Sequence, residues 1–213
     1  MSLEIDILYQ DEDLLIVNKP TRMLSIPGSR PDKGISVGQA LEVQGFKGTS
    51  IVHRLDQDTS GLMIIPRHKD AHRYIGKQFE HRQVKKTYIA NVWGKLGEAV
   101  GNIGTVNAPL CRDVENPPRQ MVDAENGKEA ITDWEVISYG EQSTRVLLKP
   151  ETGRSHQLRV HMLEIGHPIL GDSLYATPQA HAASPRLQLH AQYIAFTHPR
   201  HRELVEFTCD PEF

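Results

Sequence analysis

The chain has little of several things that would narrow its function at once. Only two cysteines, Cys111 and Cys209, stand among 213 residues, in no metal-binding spacing. This excludes a disulfide framework and suits a reducing compartment. No apolar run approaches the ~20 residues that a membrane-spanning helix needs. There is no Gly-rich phosphate loop and no HExxH zinc pair. The first residues lack a basic segment with an apolar run behind it, so no secretory leader is expected. Nor is there an excess of positive charge: 24 Lys and Arg face 27 Asp and Glu, a formal net charge of −3. Nucleic-acid binders are often basic overall, yet a local patch is enough to contact phosphates. What is present, 38% hydrophobic and 24% charged residues, fits a soluble globular protein with a sizeable core. The expected location is the cytoplasm.

Taken in order, the chain reads as many short strands and few helices. Residues 4–19 give two strands, EIDILY and LLIVN, around QDED. Residues 35–44 suit a short helix stopped by Gly45. Residues 69–82 form an amphipathic pattern, with Ala71, Ile75 and either Gln78 or Phe79 on one side and Lys69, Arg73, Lys77 and His81 on the other. His68 and His72 have zinc-like spacing but no third ligand, and read as surface histidines. Residues 82–94 begin basic and become a strand with Tyr88, Ala90 and Val92 on one face. Residues 95–130 read as loops with short strands. Residues 131–139 and 144–149 suit a strand pair. Ser155 is placed to cap a helix that Gly166 and Pro168 stop, with Leu158, Met162 and Ile165 as its stripe and Arg159 one position off. Two more strands flank Pro199-Arg200. The fold class is α+β: a central, mostly antiparallel or mixed sheet with flanking helices.

The most informative stretch is residues 50–66, SIVHRLDQDTSGLMIIP. Apolar runs at Ile51-Val52 and Leu62–Ile65 suggest two buried strands. Between them lie His53, Arg54 and Asp56, and a turn built from Asp58, Thr59, Ser60 and Gly61. A carboxylate, an arginine and a histidine on a braced loop suit a functional site. An Asp before Thr-Ser-Gly also suits a turn-stabilising role.

HRLDQDTSGL resembles the HRLD-x-x-TSG signature of the RluA-type pseudouridine synthases, which makes Asp56 the catalytic residue. Lys85-Lys86-Thr87-Tyr88 resembles the second motif, in which Tyr88 packs beside the target base. GRSHQLR, residues 153–159, resembles GR-x-HQ-[LI]-R, whose basic residue pairs with the catalytic carboxylate. That role is placed on Arg159, with Arg154 as the competing candidate. RLQLHA resembles RL-x-LHA, which puts Leu189 beneath the base, and GHPILGDSLY at 166–175 also matches. NKPTRML resembles NKP-x-G-x-L but has Arg22 for Gly, which implies an extra phosphate contact or, preferably, a different course for the loop. Apart from 95–130 the resemblance spans the chain. It implies one catalytic domain over 1–213 with a cleft across the sheet and no separate N-terminal RNA-binding domain. It further implies a monomer without cofactor or metal, acting on structured RNA: 23S ribosomal RNA alone, or 23S ribosomal RNA together with a transfer RNA anticodon stem-loop, two alternatives that the sequence does not separate.

The implied reaction moves a uridine from an N-glycosidic to a C-glycosidic link, and the base must first leave its stack. Asp56 has to be ionised, and a neighbouring cation opposes the desolvation that would neutralise it. Tyr88 would stack on the uracil. Arg54 would fill the space left by the base or hold a phosphate, Lys85, Lys86 and Arg154 would contact RNA, and His53 is structural. The cations Lys69, Arg73, Lys77, Arg82, Lys85, Lys86, Arg154 and Arg159 are expected on one face. The rival readings are a non-catalytic RNA-binding or RNA-chaperone module of the same fold, and a metal hydrolase, for which the ligand spacing is missing.

Overall fold

The structure, a computed structural model, describes residues 4–28, 34–98 and 101–213. In chain order its first elements are β1 (Asp6–Gln10), β2 (Leu14–Lys19), α1 (Val37–Val43), β3 (Ser60–Pro66), α2 (Lys69–Glu80) and β4 (Lys85–Trp93). Then follow β5 (Ile103–Asn107), β6 (Leu110–Arg112), β7 (Gln120–Val122), β8 (Ile131–Tyr139) and β9 (Ser143–Pro150). The last are α3 (Gln157–Glu164), α4 (Pro178–Ala182), β10 (Leu189–Thr197) and β11 (Leu204–Thr208). The class is α+β, as the short alternating strands predict. The residues gather into two compact units: Met1–Lys86 with His190–Glu212, and Thr87–Leu189 with Phe213.

The first unit has a mixed sheet. Strand β2 pairs antiparallel with β1 and β3. Strand β3 pairs parallel with β10, and β10 antiparallel with β11. All seven residues of β3 are buried, which accounts for its unbroken apolar run. Helix α2 lays Ala71, Ile75 and Gln78 against this layer. The Gln78 amide exchanges both its hydrogen bonds with the Thr197 backbone, at 2.8 and 2.9 Å, so its burial leaves no polar group unmet. Phe79 packs half-buried on the same core, so the two candidates for that face share it. His68 caps α2: its Nδ1 accepts the Ala71 N–H and its Nε2 meets Asp13 at 2.9 Å.

Two expectations for residues 50–66 are corrected. Ile51 and Val52 form no strand; they run as a half-buried bend, with Val52 packed on the core. Ser60 and Gly61 belong to β3 rather than to the turn. Gly61 sits at φ 115°, and a Cβ there would lie 2.4 Å from the Ala191 carbonyl oxygen of β10. Glycine is required here because two backbones meet in parallel register with no room for a side chain.

The second unit has an antiparallel sheet ordered β4-β9-β8-β5, with β6 and β7 as a separate pair. Ala90, Val92, Trp134, Val146 and Leu148 fill its core. Helix α3 departs from the single-stripe pattern. Gln157 to Met162 are all buried, so its polar residues face protein too. Its N-cap is His156 at φ 55° without a side-chain cap bond, not Ser155. The five-residue α4 is too short to show a period. Its signals are Thr177 as cap and Pro178 at the first turn.

Replacing Gly61 by Ala should cost at least ~3 kcal/mol, because both the positive φ and the β3–β10 contact must give. Urea unfolding of the Gly61→Ala protein tests this; a loss below ~1 kcal/mol would show that the strands can part cheaply.

Candidate active site

The Asp56 loop is held by its backbone. Lys19, fully buried at 0% exposure, donates from Nζ to the carbonyl oxygens of Pro20, Met23 and Gln57 at 3.0, 2.8 and 3.0 Å. Thr21 Oγ1 donates to the Asp58 carbonyl at 2.8 Å. Ser25 Oγ donates to the Leu55 carbonyl at 2.7 Å and accepts the Leu55 N–H at 3.0 Å. Residues 55, 57 and 58 are thus tied to the NKPTRMLS segment on either side of Asp56. The turn closes with the Thr59 N–H on the Asp56 carbonyl at 3.2 Å. Arg22 in that segment holds φ 63°, the left-handed backbone that glycine adopts freely. The arginine therefore occupies a glycine-type turn at a cost of ~1 kcal/mol, and no altered turn is needed to admit it. Asp56 is half-buried and Arg54 exposed.

Below the turn, Ser60 Oγ meets His190 Nδ1 at 2.9 Å, and His190 Nε2 donates to the Cys209 carbonyl at 2.9 Å. Two motif residues, the Ser of TSG and the His of LHA, therefore hold each other. His53 is structural, as expected. Its Nε2 accepts the Ile64 N–H at 2.9 Å, and its ring stacks on Phe79 at 4.6 Å. Burial, with Lys86 nearby, pushes its pKa down to about 3. Lys86 lies 5.8 Å over the Phe79 ring, and burial lowers its own pKa. Lys85 is exposed.

In the second unit the two candidate arginines differ sharply. Arg154 is exposed, its Nε donating to the Glu129 carbonyl at 2.9 Å. Arg159 is 3% exposed and forms a two-pronged bond to Asp172, Nε and Nη2 each at 2.7 Å. Arg159 thus departs from the expected cationic face: it is an interior group. Asp172 Oδ1 also accepts the N–H groups of Leu174 and Tyr175 at 2.9 and 3.1 Å. The Tyr175 ring lies 5.1 Å from the Arg159 guanidinium, and its hydroxyl meets His156 Nδ1 at 2.7 Å. The rest of the HQLRVH run is equally engaged. Gln157 bonds Thr152, Thr132 and the Ile131 carbonyl, and His161 bonds Thr132 and the Ala108 carbonyl. Tyr88 is half-buried against a cluster that includes Leu158, Met162 and Leu189, the last only 2% exposed.

Of the expected site residues, Arg54, Asp56, Lys85 and Lys86 therefore fall in the first unit, and Tyr88, Arg154, Arg159 and Leu189 in the second. Sequence reasoning missed Lys19, Ser25, Asp172 and Tyr175. Lys19 hid in a loop-like NKP, and Asp172 and Tyr175 in GHPILGDSLY, a block whose match carried no residue roles.

Replacing Lys19 by Met should cost about 3 kcal/mol or more, since three carbonyls lose a charged donor inside the protein. Urea unfolding reads this, and an unchanged midpoint would remove the clamp from the account. Acid should also destabilise the fold through His53. The unfolded ring takes a proton near 6.5 and the folded ring only near 3, so stability is full above 6.5 and falls as pH drops through that window. The slope is at most ~1.4 kcal/mol per pH unit, and His53→Gln should flatten it.

A family model described as RNA pseudouridylate synthase matches residues 13–164. The dual-specificity RNA pseudouridine synthase RluA of Yersinia pestis is 48% identical over 208 residues, 97% of this chain and 99% of that protein. Its namesake in Escherichia coli (strain K12) is 46% identical, over 97% of this chain and 93% of that protein. The solved structure of human RNA pseudouridylate synthase domain containing 1 superposes with a TM-score of 0.84 at 30% identity, covering 100% of this chain and 86% of that one. This chain belongs to the RNA pseudouridylate synthase family.

Proposed function

We propose that this RNA pseudouridine synthase acts on uridines displayed in stem-loops, in ribosomal RNA and also in transfer RNA, with Asp56 as its catalytic carboxylate. The observation that carries the assignment of Asp56 is the clamp on its backbone. Loop residues on both sides of Asp56 are tied down by Lys19, Thr21 and Ser25. A reacting group needs that kind of positioning, and a solvated turn does not. The dual specificity named for the bacterial relatives supports two RNA substrates.

In this reading the uridine is flipped out of its stack, which is cheapest in a loop. The C1′–N1 bond breaks, the base turns, and a C1′–C5 bond forms. The proton at C5 leaves and N1 gains one, so the overall change is an isomerisation. Asp56 acts ionised on the sugar or the base, and Arg159 is the cation that favours its charged form. The full burial of Arg159, against the exposure of Arg154, supports giving it that role. Tyr88 stacks on the uracil, and Leu189 lies beneath it. Arg54, Lys85, Lys86 and Arg154 hold the RNA backbone. The enzyme is a cytoplasmic monomer that needs no cofactor or metal. The free thiols of Cys111 and Cys209 support a reducing compartment.

Asp56→Asn should lower pseudouridine formation on a stem-loop RNA by on the order of a thousandfold or more, while RNA affinity changes less than about threefold. Single-turnover kinetics with a parallel binding titration reads both quantities. Retained isomerisation would remove Asp56 from the chemistry.

A further inference from the structure

The first unit carries a concentration of cations beside α2. A cavity of about 310 Å³ beside α2 and the turn after β10 is lined by Arg73, Lys77, Arg200 and Arg202, against two carboxylates, Asp13 and Asp70. The carboxylates are already engaged. Arg200 Nε donates to Asp13 Oδ2 at 2.7 Å, and Arg73 meets Asp70 at 2.5 Å. Two cations of the lining remain without a carboxylate among the described residues. Lys77 is exposed and has none, and Arg202 lies over the Tyr74 ring, 4.0 Å from its centroid. A guanidinium carried on an aromatic face keeps its in-plane N–H donors for an anion. Arg202 also holds a left-handed φ of 61°, a conformation that costs an arginine energy and that persists where the surroundings impose it. Glu12 also pairs with Arg200, so three carboxylates face four cations and the surplus is one positive charge, shared between the exposed Lys77 and the Arg202 held over Tyr74.

Its position separates it from the Asp56 loop. That loop enters β3 at Ser60, whereas the chain reaches α2 from Pro66 at the other end. Seven residues of strand at ~3.3 Å each put roughly 20 Å between the loop's exit and the first turn of α2, and the helix then runs back toward the loop, where Phe79 stacks on His53. The pocket takes in α2 only as far as Lys77, two residues short of that stack. An extended polyanion such as RNA can reach from one to the other. We propose that this pocket grips a phosphodiester of the RNA stem, through Lys77 and Arg202, outside the Asp56 loop itself. The identity of the anion rests on the RNA-enzyme assignment; the pocket and its charge do not.

Binding of an extended stem-loop RNA, followed by fluorescence anisotropy over a range of salt, tests the proposal. The Lys77→Ala, Arg202→Ala double variant should bind about tenfold more weakly at physiological salt, and its log affinity against log salt should flatten by about two. Lys77→Ala alone should flatten the slope by about one, and Lys77→Arg should restore it. Lys77 is exposed and its side chain makes no hydrogen bond or ion pair among the described residues, so loss of folding is not expected to imitate the result. A wild-type salt slope in both alanine variants would overturn the proposal and leave the cavity to a non-RNA anion. Pseudouridine formation by the unaltered chain on the same RNA reports separately on the enzyme assignment.

Discussion

A single buried ammonium carries the geometry of the Asp56 loop. Burying a charge is expensive unless it is met by hydrogen bonds, and Lys19 is met by three carbonyls from two segments. None of the three bonds is to an acid. The lysine joins two loops through their backbones. With the loop set from above by Lys19 and from below by the Ser60–His190 pair, the residue between them has little freedom to wander.

The second unit solves a different problem by a different route. Arg159 is an interior cation, and there an acid is used: Asp172, whose oxygens also collect two backbone N–H groups. Its bidentate geometry and the neighbouring Tyr175 fix the guanidinium plane rather than only its charge. Gln157 and His161 tie the same helix to β8 and its approaches, and no buried side-chain polar atom among the described residues lacks a partner. The GRSHQLRVH run is thus a packing motif in its own right.

The sequence revealed strands and helices wherever period and length agreed, as in β8, β9 and α2. It misled where a tertiary partner replaced a local one. Ile51-Val52 has the composition of a strand, but His53 turns back to accept the Ile64 N–H, and the segment stays a bend. Ser155 has the chemistry of a cap, yet the Gln157 side chain accepts the Arg154 N–H and the helix starts one residue later. Likewise Ser60-Gly61 reads as a turn because Gly is there, while the true reason is Ala191, which only the fold brings near. The candidate site residues were readable as residue types in motif order. Its supports, Lys19 and Asp172, were not, because a lysine in a loop and an acid after a glycine look solvated until their partners are known.

The close approach of Gly61 to Ala191 also sets a schedule. The paired residues Ser60 and His190 lie 130 positions apart, and contacts over such separations form late. A growing chain exposes all of HRLDQDTSG long before the strand that seats it has been made. Completion of the polypeptide, rather than appearance of the motif, is what turns the loop into an ordered one, so synthesis itself delays the enzyme's competence until its last strands arrive.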